Sequence, residues 1–416
     1  MNLQTTINNF EIVEDKANEY FITLAGLLNK IPYSLSVNWK KNLGIINSNR
    51  KYSDFTLPEV REGNGTIIEA HTNKVICYSF NVIMNPEDTS KEEFETNWGD
   101  YSIERLVDGA VIRVYYYNEK WNIATLKCIE ASDAYWSSNK SFKELFDEAS
   151  LESGLNYDVL NKNYCYTFII RHPSNHMIVK YDKRSIVHLN TVDLQTCRLV
   201  EHDIGIESVI HESFDSYEEF IKINNTKTES PLVETSLIGY ILTNTKTGAK
   251  TKFENPSYAL ARKMKGNVPN ICYQILSLMR EDWENGNTDN KTNFLKFFPQ
   301  YANDYVYTEE RFNKTSGFIY KCYLNLYNGN RHNQLDFVLQ HTINELYLIS
   351  QEHYKGNLSF NNMCKYLKSL TCERLSNILK IPIIFKKNKH KKTFPKTNNN
   401  KFNQGFDWQL NKNLTV

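Results

Sequence analysis

The sequence predicts an α+β chain in which antiparallel strands dominate, followed by an all-helical C-terminal region. Three observations carry this. Between residues 60 and 260, short runs rich in β-branched and aromatic residues alternate with polar turns. From about Met264 the apolar period lengthens to three or four residues. After Phe385, lysine and asparagine replace apolar residues almost entirely. With 416 residues, 41% of them apolar and 13% aromatic, the chain is long enough for two or three domains with substantial cores.

Taken in order, residues 1–59 read as a helical lead-in. Its one periodic stretch, 15–30, places Tyr20, Phe21, Leu24, Leu27 and Leu28 on a single stripe. Residues 60–267 form the strand-rich domain, with strands expected at 66–68, 75–78, 111–117, 122–129, 166–170, 185–190 and 237–242. A helical insertion is expected at 140–150. Residues 268–384 read as a helical domain, because Leu335, Val338, Leu339, Ile343, Leu346 and Ile349 share one face, as do Met363, Leu367 and Leu370. Residues 385–416 form a basic tail too polar to build a core.

Charge is distributed unevenly. The net charge is +1, but residues 380–416 hold nine Lys against one Asp, so the tail carries +8 and the remainder −7. A basic appendage on an acidic body suits phosphate partners. The eight cysteines occur singly and no histidine spacing completes a zinc site, so no metal is expected and a reduced, cytoplasmic setting fits. No run of about 18 apolar residues suggests a membrane span. His172 and His176 are four apart, but in a Pro-interrupted strand segment that lacks the shared face of a helical metal pair. Tyr115, Tyr116 and Tyr117 beside Trp121 and Trp136 offer stacking surface for bases, although aromatic residues are also ordinary strand and core formers.

The most specific feature is a hairpin. Asp108-Gly109 precedes a strand at 110–117, and Asn118-Glu119 turns the chain back into 121–127. The run Arg105-Leu106-Val107-Asp108-Gly109 resembles the Lys-x-Asp-Gly motif of the covalent nucleotidyltransferases, which comprise ligases and capping enzymes. Further on, Ile169 to Val179, with Pro173-Ser174-Asn175 at its centre, resembles a phage-type RNA ligase segment of the form Glu-x-x-x-Pro-x-Asn-Arg-Ile-Val. Ile238-Gly239-Tyr240, then Lys250-Thr251-Lys252 and Tyr258, resembles the last motif, Glu-Gly-Tyr plus Lys-x-Lys. Upstream, Gly63-Asn64-Gly65 stands where that family has Arg-Gly. These segments come in the family's order across residues 60–270, and a helical C-terminal domain also fits. The resemblance extends to the ligase-like proteins of large DNA viruses.

The resemblance implies an antiparallel-sheet nucleotidyltransferase (ATP-grasp-like ligase) domain. In that family the motif lysine attacks the α-phosphate of ATP, glutamates hold the metal or ribose, and terminal lysines neutralise phosphate charge. Here Leu106 occupies the lysine position, Ile169 and Ile238 the two glutamate positions, and Asn64 the arginine position. In Lys-x-Lys, the spacing to Tyr258 selects Lys252 and Glu254, whereas a literal match selects Lys250 and Lys252.

The expectation is a catalytically degenerate RNA ligase-like protein that binds RNA or a viral protein. Two alternatives stay open: an active ATP-dependent RNA ligase with a displaced lysine, needing ATP and Mg2+, and a structural component of a viral assembly. Candidate nucleotide-pocket residues are Asp108, Gly109, Arg113, Lys127, Lys250 and Lys252. Candidate nucleic-acid contacts are Arg262, Lys263 and Lys265 before the helical region, and Lys386, Lys387, Lys389, Lys391 and Lys392 in the tail.

Overall fold

A computed structural model of the chain describes residues 2–8, 24, 26, 28–30, 32–329 and 335–380. Strands start earlier than the reading of 1–59 as helical allows. Ser36–Lys40 (β1) and Leu43–Asn47 (β2) pair antiparallel and continue through Ile67–Glu69 (β3) to Val75–Cys77 (β4). The polar–apolar alternation Ser36-Val-Asn-Trp-Lys is itself a strand signal, and Val37 and Trp39 lean on a buried cluster holding Leu35, Ile46 and Ile68. The helix expected at 15–30 falls largely outside the described residues, and the tail 385–416 lies wholly outside them.

Two five-stranded sheets follow. Ile83–Met84 (β5) and Tyr101–Arg105 (β6) belong to one, and Ala110–Tyr117 (β7), Lys120–Thr125 (β8), Tyr164–Arg171 (β9), Ser185–Asp193 (β10) and Arg198–Val200 (β11) form the other, in the order β11-β10-β9-β7-β8. His211–Glu212 (β12), Gly239–Asn244 (β13) and Lys250–Glu254 (β14) complete the first, in the order β12-β6-β13-β14-β5. All these pairings are antiparallel except β14 with β5. The β7–β8 hairpin turns on Asn118 and Glu119, both at positive φ (50° and 60°), as a two-residue turn that continues strand twist requires.

Each sheet buries its outer face under a helix. Phe142–Glu152, opened by a Ser141–Glu144 capping box, seats Leu145, Phe146 and Ala149 on Ile112, Val114, Phe168 and Ile170. Tyr217–Asn224 seats Phe220 on Tyr240, Leu242 and Phe253 of the other sheet. Phe220 is fully buried, with Phe253 at 5.1 Å edge-on and Tyr240, Trp98 and Phe214 each at 5.5 Å. The inner faces of the two sheets are left toward one another.

The C-terminal region is helical: Pro256–Lys265, Ile271–Asn285, Asp289–Phe297, Ala302–Tyr327, Phe337–Tyr354, Phe360–Ser369 and Cys372–Ile378. Ile343, Leu346, Met363 and Leu367 are buried in one cluster, the faces that the apolar period marks. A second cluster crosses from strand side to helix side, joining Ile178, Val179, Leu232 and Ile238 to Ala261, Met264, Ile275 and Phe294. Among the described residues, no helix is long and apolar enough to cross a membrane.

Because Phe220 fills the aromatic layer behind β6 and β13, Phe220→Ala is expected to destabilise the fold by about 3–5 kcal/mol. A lowered urea midpoint at unchanged m-value checks this.

Candidate functional site

Pleating decides which motif residues meet. Glu104 on β6 and Leu106, just past its end, point inward while Ile103 enters the aromatic core behind the sheet. Leu106 and Ile241 from one sheet, with Val111, Ile169 and Leu189 from the other, line a cleft of about 160 Å³, and Phe80, Val209 and Tyr258 also reach it. Val111 and Ile169 are paired across β7 and β9 and form its aliphatic floor, with Val187 of β10 clustered beside Ile169. Ile238, the second glutamate position, lies in the neighbouring buried cluster, against which Leu106 also packs.

Asp108 is buried, and its carboxylate is fully engaged inside the protein. Oδ2 accepts the backbone N–H groups of Ile178 (2.8 Å) and Val179 (2.7 Å), and Oδ1 accepts the Tyr258 hydroxyl at 2.9 Å. Its backbone carbonyl accepts the Tyr181 hydroxyl at 2.9 Å. Burial pushes the Asp108 carboxyl above the usual range, against the opposing pull of these donors, and burial, with the same carboxylate beside it, pushes the Tyr258 phenol up. Thus Asp108 ties the β6–β7 loop to the segment after Pro173 and to the helix Pro256–Lys265.

Gly109 has φ +147°, and a Cβ there would sit 2.3 Å from the Ile170 carbonyl oxygen. Gly239 has φ +135°, and a Cβ would meet the Phe253 carbonyl oxygen at 2.2 Å. Both motif glycines are therefore fixed by backbone approach. The Leu106 N–H donates to the Gly239 carbonyl at 2.9 Å, and the Asn255 N–H donates to the Ile238 carbonyl at 3.0 Å, which closes the motif segments around one another. Asn255 also caps the helix Pro256–Lys265 through Ser257 N–H.

The basic candidates separate. Lys250 is buried and lines the cleft, its Nζ 3.7 Å from Glu104. Lys252, two residues along the same strand face, pairs with Glu254 at 2.6 Å, and Arg262 pairs with the same carboxylate at 2.8 Å. Arg113 and Lys127 do not line the cleft. Arg113 lies on the face of Val111 but further along β7, fully buried and donating to the Gly65 and Thr125 carbonyls; it holds together the loop that contains Asn64. Lys127 is exposed in the turn after β8, its N–H on Thr125 Oγ1. Arg105, on the opposite strand face, pairs with Glu212.

The cluster proposed for nucleic acid is likewise not one surface. Lys263 is exposed, Arg262 is committed to Glu254, and Lys265 is turned inward onto Tyr301, so as a group they do not form a phosphate-facing patch. Lys386, Lys387, Lys389, Lys391 and Lys392 lie outside the described residues. His172 bonds Glu148 (3.1 Å) while His176 bonds Gln300 and the Ile178 carbonyl (3.2 Å each), so the two rings serve separate networks. Among the described residues, no group of three or more His, Cys, Asp or Glu is placed to hold a metal ion. Tyr115 is core, whereas Tyr116 packs edge-on against Trp121 and Tyr117 bonds Glu69.

Sequence reasoning missed Glu104 and Asn190. Glu104 stands two residues before Leu106, so strand alternation alone puts both on one face. Asn190 lines the cleft at a register shift in β10, and its Oδ1 is buried without a hydrogen-bond partner among the described residues. No local pattern marks such a shift.

Asp108→Ala strands two backbone N–H groups and a phenol in a dry site, which is expected to cost on the order of 3 kcal/mol or more. Asp108→Asn keeps an acceptor oxygen and is expected to cost less than half as much. Urea titrations of both variants check the order; equal and small losses would contradict the clamp.

No family model matches the chain. It is 26% identical over 272 residues to the "Immediate-early protein ICP-46 homolog" of Invertebrate iridescent virus 3, covering 59% of this chain and 55% of that protein. A provisionally named RNA-ligase of African swine fever virus is 24% identical over 157 residues, 33% of this chain and 35% of its own length. The RNA ligase of Rhodothermus phage RM378 is 33% identical over 94 residues, 20% of this chain and 21% of its own. The chain thus spans about half the length of the iridescent virus relatives and less of the others. Among solved structures, Naegleria gruberi RNA ligase with PPi aligns at TM-score 0.33 and 12% identity over 43% of this chain and 56% of that one. A provisionally named ATP-dependent DNA ligase from Aquifex aeolicus aligns at 0.38 and 13%, over 71% and 80%. In its motif order and its relatives, this chain resembles the RNA ligase-like proteins of large DNA viruses and phages.

Proposed function

We propose that this chain is a catalytically silent RNA ligase-like protein of viral origin that binds RNA. The observation that carries the reading is the residue in the cleft at the nucleophile's position. Leu106 projects there beside Ile169 and Val111, with no amine to attack a phosphate.

The cleft also does not fit Mg-ATP. Its volume of about 160 Å³ is well under the roughly 300 Å³ at which ligand pockets begin. Magnesium needs carboxylate or phosphate oxygens; of the two carboxylates lining the cleft among the described residues, that of Asp108 is taken by Ile178, Val179 and Tyr258, and that of Glu104 faces Lys250 at 3.7 Å. An unpaired triphosphate against an aliphatic floor would cost several kcal/mol. RNA as partner is supported by what the African swine fever virus and phage relatives are called.

One observation favours a second reading. Among the described residues, Lys250 is the one lysine that lines the same cleft, which gives an active ligase with a displaced nucleophile a named candidate. Incubation with α-labelled ATP and Mg2+ separates the two. The expected result is no covalent adenylate on the protein; an acid-stable adenylate that Lys250→Ala abolishes would overturn the silent reading. RNA binding is expected to weaken steeply as salt rises, read by filter binding across a salt series. A stoichiometric viral protein partner with no RNA affinity at low salt would replace RNA with an assembly role.

A further inference from the structure

Lys265 ends the helix Pro256–Lys265, and its side chain turns beneath the loop 266–269 into a second cavity, of about 180 Å³. Trp136, His176, Ile178, Ile271 and Tyr301 share that lining. The Lys265 ammonium donates to the Tyr301 hydroxyl at 2.7 Å and stands 4.1 Å from the centre of that ring and 5.6 Å from that of Phe298. No carboxylate lies within ion-pair distance of it among the described residues; Asp304 acts on it only from further away. An ammonium has three donors, and rings offset only part of the lost hydration.

The other charged and titratable groups here do not balance it. His176 Nε2 faces the Ile178 carbonyl and Nδ1 faces the Gln300 amide, a pairing that suits a neutral ring. Burial, with Lys265 and Lys180 nearby, pushes His176 down to about 4. Lys180 adds positive charge at the same place, although Asp182 accompanies it at 3.2 Å. Burial likewise pushes Lys265 down to about 8, with Asp304 opposing it from further away.

We propose that this cavity is a seat for a phosphate group, bound by the Lys265 ammonium and the Tyr301 hydroxyl. The phenol accepts from Lys265 and keeps its own proton to donate, so two donors from different elements converge on one point. A tetrahedral oxyanion accepts from several directions at once. The volume suffices for it, since a cavity of about 150 Å³ already admits a benzene ring. The seat is distinct from the sheet-to-sheet cleft and stands whether or not the chain is an RNA-binding protein. The phosphate comes either from the free ion or from the end of an RNA strand.

Lysine footprinting of the full chain with acetic anhydride, read by mass spectrometry, tests this without a variant. Inorganic phosphate is expected to protect Lys265 and to leave the exposed Lys263 on the same helix unchanged. A 5′-phosphorylated oligoribonucleotide is compared with its unphosphorylated twin. Protection by the phosphorylated strand alone or by both phosphates assigns a strand end; protection by the free ion alone assigns the ion. No protection of Lys265 by any phosphate overturns the seat, as does equal protection of Lys263. In calorimetry, Lys265→Met is expected to weaken phosphate binding about tenfold, and Lys263→Met to leave it unchanged. Unaltered binding by a folded Lys265→Met chain also overturns it.

Discussion

Asp108 shares one oxygen between two successive backbone N–H groups and presents the other to a phenol, and in doing so joins three stretches far apart in sequence. Its partners at Ile178 and Val179 lie 70 and 71 residues on, and Tyr258 lies 150 on. Burial makes such a carboxylate costly unless every lone pair facing protein is used. The clamp therefore fixes the β6–β7 loop against the segment following Pro173 and against the first helix after β14. The shape of the cleft depends on that arrangement, because Leu106 and Val107 on one side of Asp108, and Val111 beyond Gly109, all line it.

Around the clamp, backbone geometry leaves little freedom. Gly109 is pressed on the Ile170 carbonyl and Gly239 on the Phe253 carbonyl, each at a φ that other residues rarely adopt. Leu106 bonds Gly239, and Asn255 bonds Ile238 before capping the next helix. These are architectural constraints, and they persist in a site whose charged positions hold Leu106, Ile169 and Ile238. The glycines and Asp108 carry the fold; the side chains that would carry nucleotidyl transfer are a separate layer on top of it.

The remaining ions near the site are spent on one another. Glu104 faces Lys250 across the sheet, and Glu254 lies between Lys252 and Arg262. Lys265 is the contrast: a largely buried ammonium with a phenol and rings for company, beside an open cavity.

The sequence by itself determined the strand-rich body, the β7–β8 hairpin with its two-residue turn and the helical faces through Ile343, Leu346, Met363 and Leu367. Each of these follows from local period and turn chemistry. The motif order and the aliphatic substitutions were equally legible, being statements about residue types. The strands of 36–47 were legible too, in the alternation around Val37 and Trp39, but a helical reading of the lead-in obscured them. Only the tertiary structure decided where charges go. Arg113 stands two residues from Val111 yet serves the Gly65 carbonyl, and Lys127 stays exposed beyond the partner strand. Lys265, grouped by sequence with Arg262 and Lys263, turns away from both. Neighbours in sequence on a strand or helix end face different surroundings, and what surrounds them comes from distant segments, 48 residues away for Arg113 and Gly65 and 36 for Lys265 and Tyr301, which no local pattern encodes.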